Sequence, residues 1–279
     1  MLAVVCALGA SACWGLADFL GGLQSRRLST LTVVLGVETA GLVIVAALVV
    51  ATGTAPPGAR EAAWAVGAGL AGVVGLGAFY RALAVGTMSV VAPVSSTGVA
   101  LPVLVGLARG DRLSAVQAVG LACAIAGVLL AGREQAEHPQ AGASRHALLL
   151  ALAAAAGFGT YFLGAAEAAA GGVLWTLLLG RAAALPVLAA VAVAVRAPLV
   201  PAPRDAARLA GIGAFDLGAT GLYALATTKG LLAVVAVLGA LYPVTTVLLA
   251  RVVLGERLTR TQDVGVLVVM AGVALIAAG

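Results

Sequence analysis

"GDRLSAVQAVG" at residues 110–120 and "GERLTRTQDVG" at residues 255–265 are two versions of one phrase, placed 145 residues apart. From residue 110 onward, ten of 22 positions are identical to those at this offset. In both copies a Ser or Thr precedes an apolar stretch and a Gln follows three residues later, the pattern of a helix capping box. Gly110 and Gly255 suit the positive φ that ends a preceding helix. An acid–arginine pair follows each glycine, and we expect it to hold the turn. The phrase therefore predicts the same helix–turn–helix twice, and we interpret it as architecture rather than as a substrate site.

The duplication extends over most of the chain. With an offset of 144, "ALGASACWG" (7–15) and "ALAAAAGFG" (151–159) are identical at five of nine positions. The same offset aligns "GTMSVVA" (86–92) with "GLLAVVA" (230–236). Similarity at a fixed offset indicates an internal repeat. The predicted units are residues 1–132, a linker at 133–146 and residues 147–279.

The composition is that of a membrane protein. Of the 279 residues, 62% are hydrophobic and 10% are charged, and the mean hydropathy is +1.14, whereas a soluble domain has about 25% charged residues. A membrane helix needs about 20 apolar residues. Ten stretches meet that need, so we predict an all-α protein with ten transmembrane helices, surrounded by a lipid bilayer and without a nucleic-acid partner. The stretches are 2–22, 31–52, 62–83, 88–107, 115–132, 147–166, 174–195, 207–228, 232–250 and 261–278.

Each half contains five predicted spans, and an odd number requires the second half to enter the membrane in the opposite orientation. Two inverted five-helix repeats around a central cavity follow, an arrangement typical of secondary transporters. Glycines seven residues apart, Gly120 with Gly127 and Gly265 with Gly272, place small residues on one helix face and predict close packing. Prolines inside spans predict bends. They are Pro93, Pro102, Pro186 and Pro243.

Ten spans, with "GDRLS" and "GERLT" between the fourth and fifth span of each half, resemble the EamA branch of the drug/metabolite transporter superfamily. "CWG" (13–15) near the end of the first span and "YPVTTVLLARVVLGERL" (242–258) before the last span are also similar. The resemblance covers nearly the entire chain. It implies a ten-helix basket in the cell membrane that moves metabolites, amino acids or drugs by alternating access, and it implies no particular substrate.

Charged side chains inside the spans are candidates for function, because each costs about 2.5–3.5 kcal/mol at the bilayer centre. Asp18 and Glu38 are predicted at similar depth on the side opposite the termini. One interpretation is a proton- or cation-binding pair. The other is a structural ion pair of Glu38 with Arg81, with Asp18 near the headgroups. The offset of 144 places Phe162 and Ala182 at the two acidic positions, so the repeat did not copy the acids.

Arg181 and Asp216 are charged residues deep inside the spans of the second half. They fit a buried ion pair. They also fit a site in which Arg181 binds an anionic group and Asp216 a cationic group, as a zwitterion such as an amino acid requires. The resemblance implies a role for Arg181 as well, because the family often has an arginine early in this helix.

Aromatic and hydroxyl side chains complete the predicted substrate site. Trp14 offers an aromatic surface, and Phe158 is its equivalent in the second half. Each such residue also fits a simple contact between helices. The other candidates are Tyr80, Ser95, Ser96, Tyr161 and Tyr223.

We therefore predict a transporter, an exporter of small solutes, with proton coupling and facilitated exchange both open. A lipid flippase on the same fold and a non-transporting assembly protein are the alternatives. The sequence contains neither HExxH nor GxSxG, so we predict no enzyme. Cysteine and histidine spacing predicts no metal site, and we expect no cofactor. The chain is expected to be a monomer or a homodimer.

The orientation in the membrane has two competing predictions. Eleven basic residues lie in links on the side opposite the termini and four in links on the side of the termini. The positive-inside rule therefore predicts termini outside the cell, whereas the family resemblance implies cytoplasmic termini.

Overall fold

The computed structural model describes residues 2–101, 105, 114–133, 141–229, 238–239 and 241–278. This part of the chain is helical throughout, which confirms the predicted all-α class, and it forms ten α-helices. The helices are α1 (Leu2–Ser25), α2 (Thr30–Thr52), α3 (Ala59–Val85), α4 (Met88–Ser96), α5 (Ala115–Arg133), α6 (Ala141–Ala168), α7 (Val173–Ala194), α8 (Pro203–Lys229), α9 (Tyr242–Leu254) and α10 (Arg260–Ala278). Residues 141–146, predicted as linker, form the first turns of α6.

Five segments of the described helices are long and apolar enough to cross a bilayer. At 1.5 Å per residue, 20 or more residues cover the hydrocarbon thickness of about 30 Å. These segments indicate a protein that crosses the membrane several times. They are Leu2–Ser25, Thr30–Thr52, Ala59–Val85, Arg145–Ala165 and Val173–Ala194, and shorter apolar helices are Ala115–Gly127, Tyr242–Leu254 and Asp263–Leu275.

The short helix α4 is surrounded by protein. All nine of its residues are buried, and it contacts α3, α6, α9 and α10. After Ser96 the backbone tightens into a 3-10 turn at Thr97–Val99. The predicted span at 88–107 therefore begins as an internal helix, with little contact to lipid.

The prolines have different roles from one helix to the next. Pro93 and Pro186 lie inside α4 and α7, as predicted. Pro243 instead lies in the first turn of α9, where the missing N–H would have no helical partner, so the bend predicted there is wrong. Pro102 lies outside the described residues.

Helix contacts between the two halves come in pairs: in the second contact of each pair, every helix is replaced by its equivalent in the other half. α3 packs along α6, as α1 packs along α8, and α3 contacts α7 as α2 contacts α8. The contact of α1 with α9 has its counterpart in that of α6 with the 3-10 turn at Thr97–Val99. Two further contacts, α5 with α10 and α2 with α7, each join equivalent helices. The sequence repeat thus reappears as a repeated scheme of packing.

The α5–α10 contact is built on the predicted glycines. A Cβ added to Gly127 would lie 2.6 Å from the Val269 nitrogen, and one added to Gly272 would lie 2.5 Å from the Ala124 nitrogen. The offset of 145 converts the first contact into the second. The predicted close packing of these small residues is confirmed.

Helix ends meet in two groups. At one end of the bundle, which we call the α1–α2 end, the Thr32 hydroxyl at the start of α2 donates to the Pro198 carbonyl in the α7–α8 link at 2.6 Å. At the other end, the α2–α3 end, the Trp175 indole N–H at the start of α7 donates to the Thr54 carbonyl at 3.0 Å. The α2–α3 and α7–α8 links therefore lie at opposite ends.

The duplicated phrase forms the predicted caps where it is described. Ser114 and Gln117 exchange two hydrogen bonds, of 3.1 and 3.0 Å, and so form a capping box. Gly255 has φ +65° and ends α9 with a bond from its N–H to the Ala250 carbonyl. Gly110 lies outside the described residues. The acid in the second copy does not pair with the neighbouring arginine as predicted: Glu256 lies 3.6 Å from Arg26.

Candidate functional site

Arg181 of α7 lies between two carboxylates that belong to two other helices. Its Nη2 donates to Asp216 Oδ2 of α8 at 2.6 Å, and its Nε lies 3.5 Å from Glu38 Oε2 of α2. The side chains of Arg181 and Glu38 are each 10% exposed, and that of Asp216 is 20% exposed. The predicted Arg181–Asp216 pair is therefore present, and a carboxylate from the first half extends it.

The partner of Glu38 differs from the prediction. Arg81 is exposed, whereas Glu38 is buried beside Arg181. Counting residues along the spans predicts Glu38 and Arg81 at the same depth in the membrane. It does not predict which neighbouring helix each side chain faces. The alternative of a Glu38–Arg81 pair is wrong, because α2 directs Glu38 towards α7.

Glycines bring the helices together around the guanidinium. A Cβ on Gly41 of α2 would lie 2.5 Å from Arg181 Nε, so the Arg181 side chain lies directly on the α2 backbone. A Cβ on Gly213 of α8 would lie 2.6 Å from the Val37 carbonyl oxygen. Small residues thus allow α2, α7 and α8 to approach closely enough for one arginine to contact two acids.

Asp18 adds a third carboxylate to this group. Its helix continues to Ser25, beyond the predicted span at 2–22, so Asp18 lies deeper than that span implied, and it is 8% exposed. Its carboxylate is close enough to Asp216 for electrostatic repulsion. Burial within the bundle does not fit the alternative in which Asp18 only faces headgroups. We call Asp18, Glu38, Arg181 and Asp216 the charged cluster.

Tyrosines surround the charged cluster. Tyr80 packs its ring against α1, where a Cβ on Gly21 would lie 2.2 Å from Tyr80 Cζ, and Gly21 follows Asp18 by about one helical turn. Tyr161 lies against Gly72 and interacts with Arg181. The structure also adds a tyrosine that the sequence pattern did not select: Tyr242, whose carbonyl oxygen would lie 2.5 Å from a Cβ on Gly15, about one helical turn before Asp18 in α1. Its signal in the sequence was its place at the start of "YPVTT".

The two predicted aromatic equivalents occupy equivalent contacts. Trp14 lies with its ring centroid 5.5 Å from that of Tyr223, and Phe158 lies 5.6 Å from Phe79. The offset of 144 converts one pair into the other. In this structure the pairs join α1 to α8 and α6 to α3.

The serines of α4 use their hydroxyl hydrogens within their own helix. Ser95 Oγ donates to the Val91 carbonyl at 3.0 Å, and Ser96 Oγ donates to the Pro93 carbonyl at 2.7 Å. Both side chains are buried. Their oxygens can still accept a hydrogen bond from a solute, but their hydrogens point along the helix.

The sequence matches the EamA-like transporter family over residues 1–133 and 145–278. The chain belongs to the EamA-like transporter family. A crystal structure described only as that of a protein is similar in fold to this transporter, with a TM-score of 0.64 over 98% of this chain and 96% of the other at 18% identity. No curated protein matches the sequence.

In this EamA-like transporter the scaffold is repeated but the charged cluster is not. The offset of 144 places Phe162 opposite Asp18, Ala182 opposite Glu38 and Gly72 opposite Asp216. In the described part of the chain, the carboxylates of Glu38 and Asp216 lie beside the Arg181 guanidinium, and that of Asp18 is near Asp216. Such a group can bind a proton or a cationic group of a solute, and its arginine can bind a carboxylate when Asp216 releases it.

Proposed function

We propose that the protein is a secondary transporter of the cell membrane that exports small amine-bearing metabolites, amino acids or drugs in exchange for protons. The observation that carries the proposal is the buried Arg181, held between Glu38 of the first half and Asp216 of the second. Ionised side chains inside membrane helices are costly and mark solute and proton pathways. Membership of a transporter family supports the same function.

The architecture we propose is that of ten spans, arranged as two inverted five-helix repeats, 1–132 and 147–279, around a central cavity. The exchanged helix contacts support it, because the contacts of α3 with α6 and α7 have counterparts in those of α8 with α1 and α2. The opposite positions of the α2–α3 and α7–α8 links also support it, since five spans separate them. In such transporters, solutes bind near the midplane between the repeats and the halves rock around them.

Charge balance supports exchange with protons. With all groups ionised, the three carboxylates of the charged cluster exceed its one guanidinium by two charges, and burial makes that excess unfavourable. A proton on Asp18 or Glu38, which we propose as the coupling-ion site, reduces the excess. So does an amine of the solute. Because the two cations compete for one set of acids, an inward proton gradient drives the amine outward.

The solute contacts that we propose combine the charges of the cluster with the aromatic and hydroxyl residues selected from the sequence. We propose that Asp216 binds the amine, and that Arg181 binds a carboxylate where the solute carries one. Aromatic rings near the cluster contact the apolar part of the solute and add cation–π attraction. The proposed contacts are Trp14, Tyr80, Ser95, Ser96, Phe158, Tyr161 and Tyr223.

Purified protein in liposomes tests this proposal. Amino acids, polyamines and other amine-bearing metabolites are added one at a time under an imposed pH gradient, while a trapped dye reports internal pH. We expect at least one solute to move protons in the opposite direction. Solute movement that is independent of the gradient would contradict coupling. Lipid scrambling without solute movement would indicate a flippase, and neither activity would indicate an assembly protein.

Glu38→Gln tests the coupling site within this assay. The substitution keeps the shape of the side chain but removes one ionisable group, so we expect slower transport with a flatter dependence on pH. Asp205→Asn is the matched control, because Asp205 pairs with Arg208 at the surface of α8. An unchanged pH profile for Glu38→Gln would contradict its role.

A further inference from the structure

Glu256, in the turn between α9 and α10, accepts hydrogen bonds from the first residues of α4 in the other half of the chain. Its Oε1 accepts the Met88 N–H at 3.1 Å, and its Oε2 accepts both the N–H and the hydroxyl of Ser89, at 3.0 and 2.9 Å. The first N–H groups of a helix have no partner within it, and a negative charge near them is favourable. One carboxylate of the second half therefore caps the internal helix of the first half.

Arg26, just after α1, joins the same contact. Its Nη2 lies 3.6 Å from Glu256 Oε1 and donates to the carbonyls of Leu83 and Gly86 at 3.4 Å each. The α1–α2, α3–α4 and α9–α10 connections thus meet at one point, at the α1–α2 end. We call Arg26, Met88, Ser89 and Glu256 the clasp.

α9 connects the clasp with the charged cluster. At its C-terminal end, Gly255 with φ +65° directs the chain towards Glu256. Nearer its N-terminal end, the Thr246 hydroxyl donates to the Gly15 carbonyl of α1 at 3.1 Å, and Gly15 lies about one helical turn before Asp18. The helix is 13 residues long, about 20 Å at 1.5 Å per residue. A shift of α9 at the cluster therefore reaches the clasp.

We propose that the clasp is a gate, closed in this structure, which separates the charged cluster from the α1–α2 end and opens once per transport cycle. The inference rests on the proposed transport function. Glu256 acts as a positioning residue, because it holds α4 and touches no group of the cluster. The contact suits a gate: it consists of a few polar bonds between the halves, and water can replace each of them when the halves separate.

Labelling of buried cysteines tests the gate directly. The reporter is Met88→Cys, since Met88 is fully buried and its N–H bond to Glu256 does not depend on the side chain. Native Cys6, also buried, lies near the start of α1 at the opposite end and serves as the internal control. Cys13 and Cys123 are replaced by serine. A polar maleimide is added to the purified protein, and mass spectrometry follows each cysteine separately.

We expect Glu256→Gln to accelerate labelling at residue 88 roughly tenfold, the shift expected from loss of a helix cap, and to leave Cys6 unchanged. Asp263→Asn is the matched control, because Asp263 pairs with Arg251 between the same two helices but lies at the surface. Arg26→Gln retains the cap of α4 and should give a smaller acceleration at residue 88 alone.

Two results would overturn the gate: equal acceleration at both cysteines, which means general loosening, or no acceleration at residue 88 in either variant. Labelling needs no transported solute. Different measurements therefore test the two proposals. Cysteine labelling tests the gate, and transport in liposomes tests the proposed transport function.

Discussion

At the scale of single residues, Arg181 determines the geometry of the charged cluster. A guanidinium has donors in several directions, so it can bond to Asp216 while remaining beside Glu38. A lysine ammonium is a point charge and would not replace it. The cost of burying Arg181 is offset only while both acids remain, which makes the cluster sensitive to the loss of either.

Asp216→Asn should lower the free energy of unfolding by about 3 kcal/mol, because it leaves a buried cation with a single, more distant acid. Asp205→Asn, in the same helix, removes a pair whose arginine is 48% exposed, and surface pairs contribute about 0–1 kcal/mol. Unfolding in mixed micelles titrated with a denaturing detergent measures both. Equal losses would show that Arg181 does not depend on Asp216.

Gly41→Ala should displace Arg181, since the new Cβ would lie 2.5 Å from its Nε. The control is Gly77→Ala in α3, where a Cβ meets nothing within 4 Å. Alanine is favoured over glycine in a helix by about 1 kcal/mol, so the control should be neutral or stabilising while Gly41→Ala destabilises. Thermal unfolding of the two variants compares the signs, and a stabilised Gly41→Ala protein would contradict the packing.

Sequence reasoning found the charged residues but not all of their contacts. The rarity of charge within spans was enough to select Asp18, Glu38, Arg181 and Asp216. It could not select Arg181 over Arg81 as the partner of Glu38, because the contact depends on how α2 and α7 are rotated and on the space left by glycine. Those features belong to the packed bundle and not to any one span.

At the scale of helices, the sequence was most informative at turns and at small residues. The capping box of Ser114 and Gln117, the left-handed Gly255 and the glycine face of α5 were all predicted, because each depends on residues close in sequence. The partner of Glu256 was not predicted. Its contacts lie about 170 residues away along the chain, with α4, and local pattern gives no sign of them.

The α5–α10 pair allows a test of equivalence between helices. Gly127→Val and Gly272→Val each place a branched side chain where even a Cβ is within 2.6 Å of backbone. We expect both to destabilise the protein by similar amounts, about 2 kcal/mol from overpacking. Gly211→Val, where a Cβ meets nothing within 4 Å, should have a small effect. A large difference between the first two variants would contradict the two-fold relation of these helices.

At the scale of the whole molecule, a symmetric scaffold carries an asymmetric site. The exchanged contacts and the paired aromatic residues repeat across the halves. The acids of the cluster have Phe162, Ala182 and Gly72 as their counterparts. In the transport cycle that we propose, the two halves would close around a solute in two equivalent ways, and the single charged cluster would bind it from either side.

Two single cysteines test this arrangement across the membrane. Thr54→Cys and Val200→Cys, in a chain without its three native cysteines, lie at exposed positions in the α2–α3 and α7–α8 links. Five predicted spans separate them, so an impermeant maleimide applied to intact cells should label only one of the two, and both after permeabilisation. Labelling of Val200→Cys from outside would support the cytoplasmic termini that the family resemblance implies. Labelling of Thr54→Cys would support the opposite orientation, which the positive-inside rule predicts. Equal labelling of both would mean an even number of crossings between the links, and the short, buried α4 is the helix at which a crossing would then be missing.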